Sequence, residues 1–303
     1  MADALDRPVF IVGTGRCGSS VFQRVLAEHP HLTFLTFLNA RYPDSLSLHR
    51  WYYRLRRCPV VGRYLRRRVP AGEPWPLWDR LMTGGSIAPA FSNSCRDLRA
   101  NDVTPPMKER LRDGLPRYLI AGRPRLLVKF TGWPRIGFIK EVWPDAKIIH
   151  FAREPHAVVN SLINVYFWRG WMGPAHWQWG LLDKEEQALW DRFDRSFVVL
   201  AAIQWKKNLE AYHQAVAALP DAMRRDIHEV YYHDLCDRRD EVLSRVLEFC
   251  GLEDSPAFRS SVAQYRLVSR DDKWRRELTP KQQSELDAAL EDLQWRKYYP
   301  APS

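Results

Sequence analysis

Apolar positions along this chain fall into short continuous runs separated by stripes at helical spacing. Pro8-Val9-Phe10-Ile11-Val12 runs into Gly13-Thr14-Gly15, which suits a buried strand meeting a turn. From Ser19 onward Val21, Phe22, Val25 and Leu26 recur at helical spacing, and His29-Pro30 ends that helix. A less regular stretch, rich in Pro, Gly, Arg and Trp, occupies about 36–124. Order returns with a strand at Leu126-Leu127-Val128-Lys129-Phe130, a helix from Arg135 to Val142, a turn at Pro144-Asp145, a strand at Lys147-Ile148-Ile149-His150-Phe151 and a helix from Ala157 to about Val165. Glu185 to Ala218 reads as one long helix with Leu189, Phe193, Phe197, Leu200 and Ile203 near one stripe. Ile227 to Tyr231 is a further strand. Val242, Leu243, Val246, Leu247 and Phe249 build a helix stopped by Gly251, and Thr279-Pro280 caps the last one. Strands separated by helices imply parallel crossovers, hence an α/β fold with a central parallel sheet flanked by helices. No repeat interrupts this order, and a single domain over 1–303 is expected.

Composition narrows the class. The chain is 46% hydrophobic and 27% charged, as an ordinary globular protein is. Its net charge of +10 favours an anionic partner: a nucleotide, a nucleic acid or a membrane surface. No run approaches the length of a membrane span. The first strand starts too close to Met1 to leave room for a signal peptide. The five cysteines are odd in number and have no close pairs, which argues against a disulfide framework and against a zinc site. A reduced, cytoplasmic protein is expected.

Candidate chemistry begins at Gly13-Thr14-Gly15-Arg16-Cys17-Gly18-Ser19-Ser20. Gly13 and Gly18 have the spacing of a phosphate-binding loop of the G-x-x-x-x-G-K-[ST] kind, but Ser19 stands where the lysine should be. Backbone amides at a helix N-terminus, with the Arg16 cation, still suit an anion. The pattern is not G-x-G-x-x-G, which argues against a dinucleotide site. A second anchor is Arg153, at the carboxyl end of the 147–151 strand, with Ser161 eight residues on in the following helix. If that helix turns back past the strand end, the two hold one phosphate.

At this point the sequence resembles the sulfotransferase family, over residues 8–32 and about 125–292. The loop is similar to the family's 5′-phosphosulfate loop, whose commoner form is P-R-S-G-T-T. Arg153 with Ser161 resembles its 3′-phosphate motif. Trp143-Pro144-Asp145-Ala146-Lys147 resembles the preceding F-P-D-A-K, and Val230-Tyr231-Tyr232-His233-Asp234-Leu235 a Y-E-D-L strand end. Phe249-Cys250-Gly251-Leu252 and the Lys273-Trp274-Arg275 to Leu278-Thr279-Pro280 segment match later family patterns.

The resemblance implies a P-loop-like fold and transfer of a sulfuryl group from PAPS to a hydroxyl, with an amine as second choice. It implies that Arg16 and the amides of Cys17, Gly18, Ser19 and Ser20 hold the 5′-phosphosulfate, and that Arg153 and Ser161 hold the 3′-phosphate. Tyr232, Lys273, Trp274 and Arg275 are further nucleotide candidates. Lys129 falls near a family lysine and would stabilise charge on the leaving phosphate. Such a transfer rests on positioning and charge stabilisation, and no metal is expected. In one branch of the family a glutamate follows the first helix, and that position is Phe37 here. Base candidates are therefore Asp44, His49, Glu73 and Asp79, with His49 ranked first.

The acceptor site is expected in the 36–124 insertion, helical or irregular, and in the aromatic-rich segment 165–190, where Tyr166, Phe167, Trp168, Trp171, Trp177, Trp179 and Trp190 suit sugar rings, sterols or acyl chains as well as an ordinary core. Residues 50–68 hold eight arginines interleaved with Trp51, Tyr52, Tyr53, Leu55 and Tyr64, a composition that suits an anionic lipid surface or an acidic substrate as well as a solvated helix face. A small-molecule or lipid-like acceptor and peripheral membrane contact are the expected partners, and nucleic acid is not. Two other readings compete: a P-loop NTP-dependent kinase, against which Ser19 counts, and a non-enzymatic basic membrane- or nucleic-acid-binding protein, which leaves the loop and Arg153 unexplained.

Overall fold

The sheet is built as the apolar runs require. A computed structural model describes residues 5–84 and 91–299; positions 1–4, 85–90 and 300–303 of the expected domain lie outside the described residues. Five strands, β1 (Val9–Gly13), β2 (Leu32–Phe34), β3 (Arg125–Thr131), β4 (Lys147–Ala152) and β5 (Ile227–Tyr231), pair in the order β2-β3-β1-β4-β5, all in parallel. Helices cover both faces, so the central strand β1 is apolar and buried throughout rather than alternating. On β1, Val9 and Ile11 pack against Phe22, Val25 and Val158, while Phe10 and Val12 join Trp78, Phe138 and Ile139 on the opposite face.

The helices are α1 (Ser19–Leu26), α2 (Phe37–Arg41), α3 (Leu46–Arg56), α4 (Pro59–Arg68), α5 (Trp75–Thr83), α6 (Pro105–Gly114), α7 (Ile136–Val142), α8 (Pro155–Ile163), α9 (Lys184–Arg192) and α10 (Phe197–Ala217). They continue with α11 (Asp221–Arg224), α12 (Tyr232–Asp237), α13 (Arg239–Cys250), α14 (Pro256–Ala263), α15 (Trp274–Glu277) and α16 (Pro280–Asp292). The central α/β sheet flanked by helices is the fold expected. Gly251 ends α13 in the left-handed region at φ 62°, and Thr279 caps α16 by accepting from the Gln282 amide.

Three expectations change. β2 went unread because three residues after a helix end carry no alternation to detect. The region 36–124 is more regular than its composition suggests. Thr36 and Ser45 accept amide bonds at the starts of α2 and α3, and prolines open α4 and α6. These helices are short, so no long stripe betrays them. The single helix expected over 185–218 is two, α9 and α10. Asp194 (φ 49°) and Arg195 (φ 58°) turn the chain between them, and the Trp190 indole donates to the Ser196 carbonyl across the break.

In the 165–190 segment Trp168, Trp177, Trp179 and Trp190 are buried in one aromatic cluster, the first three stacked and Trp190 edge-on to Trp177, while Tyr166, Phe167 and Trp171 are exposed. Most of this aromatic content is therefore core. Among the described residues, no helix is long and apolar enough to cross a membrane.

Candidate functional site

A cavity of about 1090 Å³ opens where β1, β3 and β4 end. β1 lies between β3 and β4; its connection leads to β2 on one side of the sheet order while the connection from neighbouring β3 leads to β4 on the other, and open α/β sheets bind ligands outside the strand ends at such a point. The loop from Gly13 to Gly18 forms one wall. Gly15, Arg16 and Gly18 all adopt positive φ (81°, 54° and 98°), which curls the backbone around the cavity. A β-carbon on Gly13 would sit 2.5 Å from the Phe151 carbonyl, and one on Gly18 would sit 2.4 Å from the Tyr232 ring. Glycine is thus required at both positions by close approach. α1 opens directly from this loop with no acidic residue in its first turn, so its leading amides face the cavity uncompensated.

Arg16 Nε donates to Ser161 Oγ at 2.9 Å, so α8 does turn back past the strand end and presents Ser161 to the loop. Arg153 lies beside them. Its Nη1 donates to the Arg16 carbonyl at 3.2 Å, its Nε pairs with Asp271 at 2.7 Å, and its guanidinium stacks 4.3 Å over the Tyr232 ring. Burial, with Cys236 alongside, pushes the Tyr232 phenol up to about 12, so the phenol stays neutral. It donates to the Val268 carbonyl at 3.2 Å, which ties the segment after α14 to this wall.

The opposite wall comes from β3. The Lys129 side chain is only 4% exposed, yet its ammonium reaches the cavity. Nζ donates to Ser20 Oγ at 2.7 Å and pairs with Glu73 Oε2 at 3.1 Å; Thr131 Oγ1 donates to Glu73 Oε1 at 2.8 Å. Glu73 arrives here because Ala71 bridges Thr36 and the Gly72 amide bonds the Leu35 carbonyl. A carboxylate from position 73 thereby reaches the cavity, which Phe37 does not line. Phe37 itself is 59% exposed.

Of the residues singled out from sequence, Arg16, Gly18, Ser19, Ser20, Lys129, Arg153, Ser161, Tyr232 and Lys273 line this cavity. Cys17 is buried beneath the loop, so its amide alone is on offer. Trp274 is also buried and stacks on His156 at 4.6 Å, while Arg275 packs over the Trp274 ring at 4.4 Å; neither lines the cavity.

His49, ranked first as base, is displaced from that role by its position. It is 3% exposed in the core, its Nδ1 is 3.1 Å from the Asn39 amide, its Nε2 is 2.9 Å from the Tyr118 carbonyl, and burial drives its pKa down to about 4. Asp44 is spent on Arg80 at the surface, and Asp79 on the amide and hydroxyl of Ser92. Among the four base candidates only Glu73 lines the cavity. The signal that pointed to it was slight: it is the lone acidic residue between Asp44 and Asp79 in a basic stretch. Arg24, Arg266 and Arg270, which also line the cavity, had no sequence signal beyond their charge.

His156 holds the base of α8 in place. Its Nε2 lies 2.8 Å from Asp287 of α16, and its Nδ1 bonds Glu154. Burial opposes its charge, but the two carboxylates prevail and raise its pKa above the usual 6.5. A raised folded pKa means the stabilisation is fully present below 6.5 and is lost as pH climbs through the folded value. His156→Gln should therefore lose more thermal stability near about pH 6 than near about pH 9. Equal losses at both would show that the proton contributes nothing.

The chain's sequence matches the model of the sulfotransferase family over residues 8–256, and the chain belongs to that family. It is a sulfotransferase on a parallel α/β sheet. Among solved structures it is similar to the sulfotransferase STF9 from Mycobacterium avium, at 17% identity over 98% of this chain and 78% of that one, with TM-score 0.57. It is also similar to STF1 from Mycobacterium tuberculosis H37Rv, at 18% identity over 96% of this chain and 77% of that one, with TM-score 0.51. At these identities the likeness is one of fold. No curated protein matches the sequence.

Proposed function

We propose that this sulfotransferase takes its sulfuryl group from PAPS and delivers it to the hydroxyl of an amphipathic or lipid-like small molecule. The observation that carries the reading is the pairing of Lys129 with both Ser20 and Glu73 across the mouth of the glycine loop, facing Arg16, Ser161 and Arg153.

The residues present fit the donor. Gly13 and Gly18 let the loop close against Phe151 and Tyr232, and seven arginine and lysine side chains line the cavity against two carboxylates, Glu73 and Glu277, an excess of positive charge that suits an anionic ligand. Arg16 and the amides of Cys17 to Ser20 would hold the 5′-phosphosulfate; Arg153 and Ser161 would hold the 3′-phosphate, with Tyr232 and Lys273 at the edge. PAPS supplies an activated sulfuryl group whose departure leaves charge on a phosphate oxygen.

Glu73 accepts the proton of the acceptor hydroxyl as that oxygen bonds to sulfur. Lys129 stabilises the charge that develops on the leaving oxygen, while Ser20 and Thr131 keep the lysine and the carboxylate in register. The acceptor enters from the 36–124 insertion and the 165–190 segment. Exposed Phe167 of the 165–190 segment and Val21 of α1 both line the cavity and suit an apolar body beneath the reacting hydroxyl.

The test is thermal unfolding with PAP, with ADP and with ATP plus magnesium. A native-state ligand at about a hundred times its Kd adds about 2.7 kcal/mol, which raises Tm by several degrees in a domain of this size. PAP should give that shift and ADP little. A shift with ATP and magnesium but none with PAP would overturn the reading. Lys129→Ala should lower kcat by about a hundredfold to a thousandfold with PAP affinity within about threefold of wild type. An unchanged kcat under chemistry-limited conditions would remove Lys129 from the mechanism.

A further inference from the structure

Helices α3 and α4 form a hairpin that the chemistry above does not use. Its inner side is settled by one carboxylate. Arg56 of α3 and Arg66 of α4 both pair with Glu28, at 2.6 Å and 3.3 Å, while Tyr52 and Tyr53 enter the core. Gly62 lets the helices meet, since a β-carbon there would lie 2.2 Å from the Arg56 carbonyl.

The outer side has no such partners. Arg50, Arg54, Arg57, Arg63, Arg67 and Arg68 are all exposed. Among the described residues, the ion pairs of this hairpin are those of Arg56 and Arg66 with Glu28. No Asp or Glu occurs between Asp44 and Glu73. Between these arginines stand Trp51 (56% exposed), Leu55 (39%), Val60 (83%), Val61 (40%) and Tyr64 (62%).

We propose that this face docks on a bilayer containing anionic lipid. Unneutralised arginines match the charge of the headgroups, and the interleaved tryptophan, tyrosine and aliphatic side chains match the acyl boundary beneath them. A nucleic acid would use the arginines and the aromatic rings, but it offers nothing to Leu55, Val60 and Val61. Only four residues separate Arg68 at the end of α4 from Glu73 at the cavity, so the hairpin connects directly to the segment that supplies Glu73. The proposal stands apart from the donor assignment, because docking needs no nucleotide.

The experiment is sedimentation of the whole protein with vesicles of phosphatidylcholine alone or mixed with phosphatidylglycerol, without nucleotide. Binding to the mixed vesicles should exceed binding to the neutral ones at least about tenfold and fall with added salt. The combination Arg54→Glu, Arg63→Glu and Arg67→Glu should weaken it by about a hundredfold, at about fivefold per arginine. Val60→Ser with Trp51→Ser should weaken the salt-resistant remainder. Should the first set fail to fold by its melting curve, Arg50→Glu with Arg57→Glu serves in its place. Equal binding to both vesicle types, indifference to the reversals, or tight binding of a DNA duplex with none of vesicles would each overturn the proposal. Sulfuryl transfer to a water-soluble alcohol should be unchanged in the arginine variants, so that loss of docking and loss of chemistry are read separately.

Discussion

Glu73→Gln is expected to lower kcat by about a hundredfold to ten-thousandfold while PAP binding stays within about threefold of wild type. Glutamine preserves the shape of the side chain and still accepts from Thr131, which donates to Oε1 at 2.8 Å in the native protein. What it removes is the carboxylate charge that faces Lys129 at 3.1 Å and, with it, the base of the proposed mechanism. The loss should therefore appear in kcat and not in nucleotide affinity. Glu73→Asp should restore part of the rate, because it keeps the base and shortens its reach. A fall of less than about tenfold in the glutamine variant under chemistry-limited conditions would eliminate Glu73 as the base. Parallel losses in rate, nucleotide affinity and Tm would mean that the carboxylate acts by anchoring the 71–73 segment instead.

The second large effect is in binding. Arg153→Ala should weaken PAP by about a hundredfold or more and leave ADP, which lacks the 3′-phosphate, almost unchanged. The guanidinium is held ready on three sides, by Asp271 at 2.7 Å, by the Arg16 carbonyl and by the Tyr232 ring, so little order has to be gained on binding. Arg153→Lys should recover only part of the affinity, since an ammonium keeps the charge but loses the planar fork and the stack on Tyr232. The fold should suffer much less, by about 1 kcal/mol. Calorimetric titration with PAP and ADP in both variants decides the matter. A PAP-to-ADP preference that survives the alanine substitution would sink the assignment of the 3′-phosphate to Arg153.

Local pattern reached a definite distance into this protein. The run at 9–12, the glycines at 13 and 18 and the stripe beginning at Val21 specified β1, the loop and α1, because each depends on neighbours a few residues away. The strands around 127, 149 and 229 and the capped helix after Thr279 were legible for the same reason. Arg16, Lys129 and Arg153 could be nominated individually from strand ends and loop spacing.

Their partnerships could not. Arg16 meets Ser161 across 145 residues, Arg153 meets Asp271 across 118, and Glu73 meets Thr131 across 58. Such pairs exist only because parallel strands gather their carboxyl ends on one edge, and the spacing of residues along the chain carries no trace of that gathering. The choice of base shows the same boundary. Three carboxylates and one imidazole of the insertion were candidates in sequence, with His49 ranked first, and packing separated them: His49 went into the core between Asn39 and Tyr118, whereas the bridge from Ala71 to Thr36 carried Glu73 to the cavity. Sequence determined which elements form and which residues bear charge or hydroxyl groups, since propensity and periodicity are local. Tertiary structure alone decided which of those groups face one another, since burial and long-range backbone pairing are properties of the folded chain.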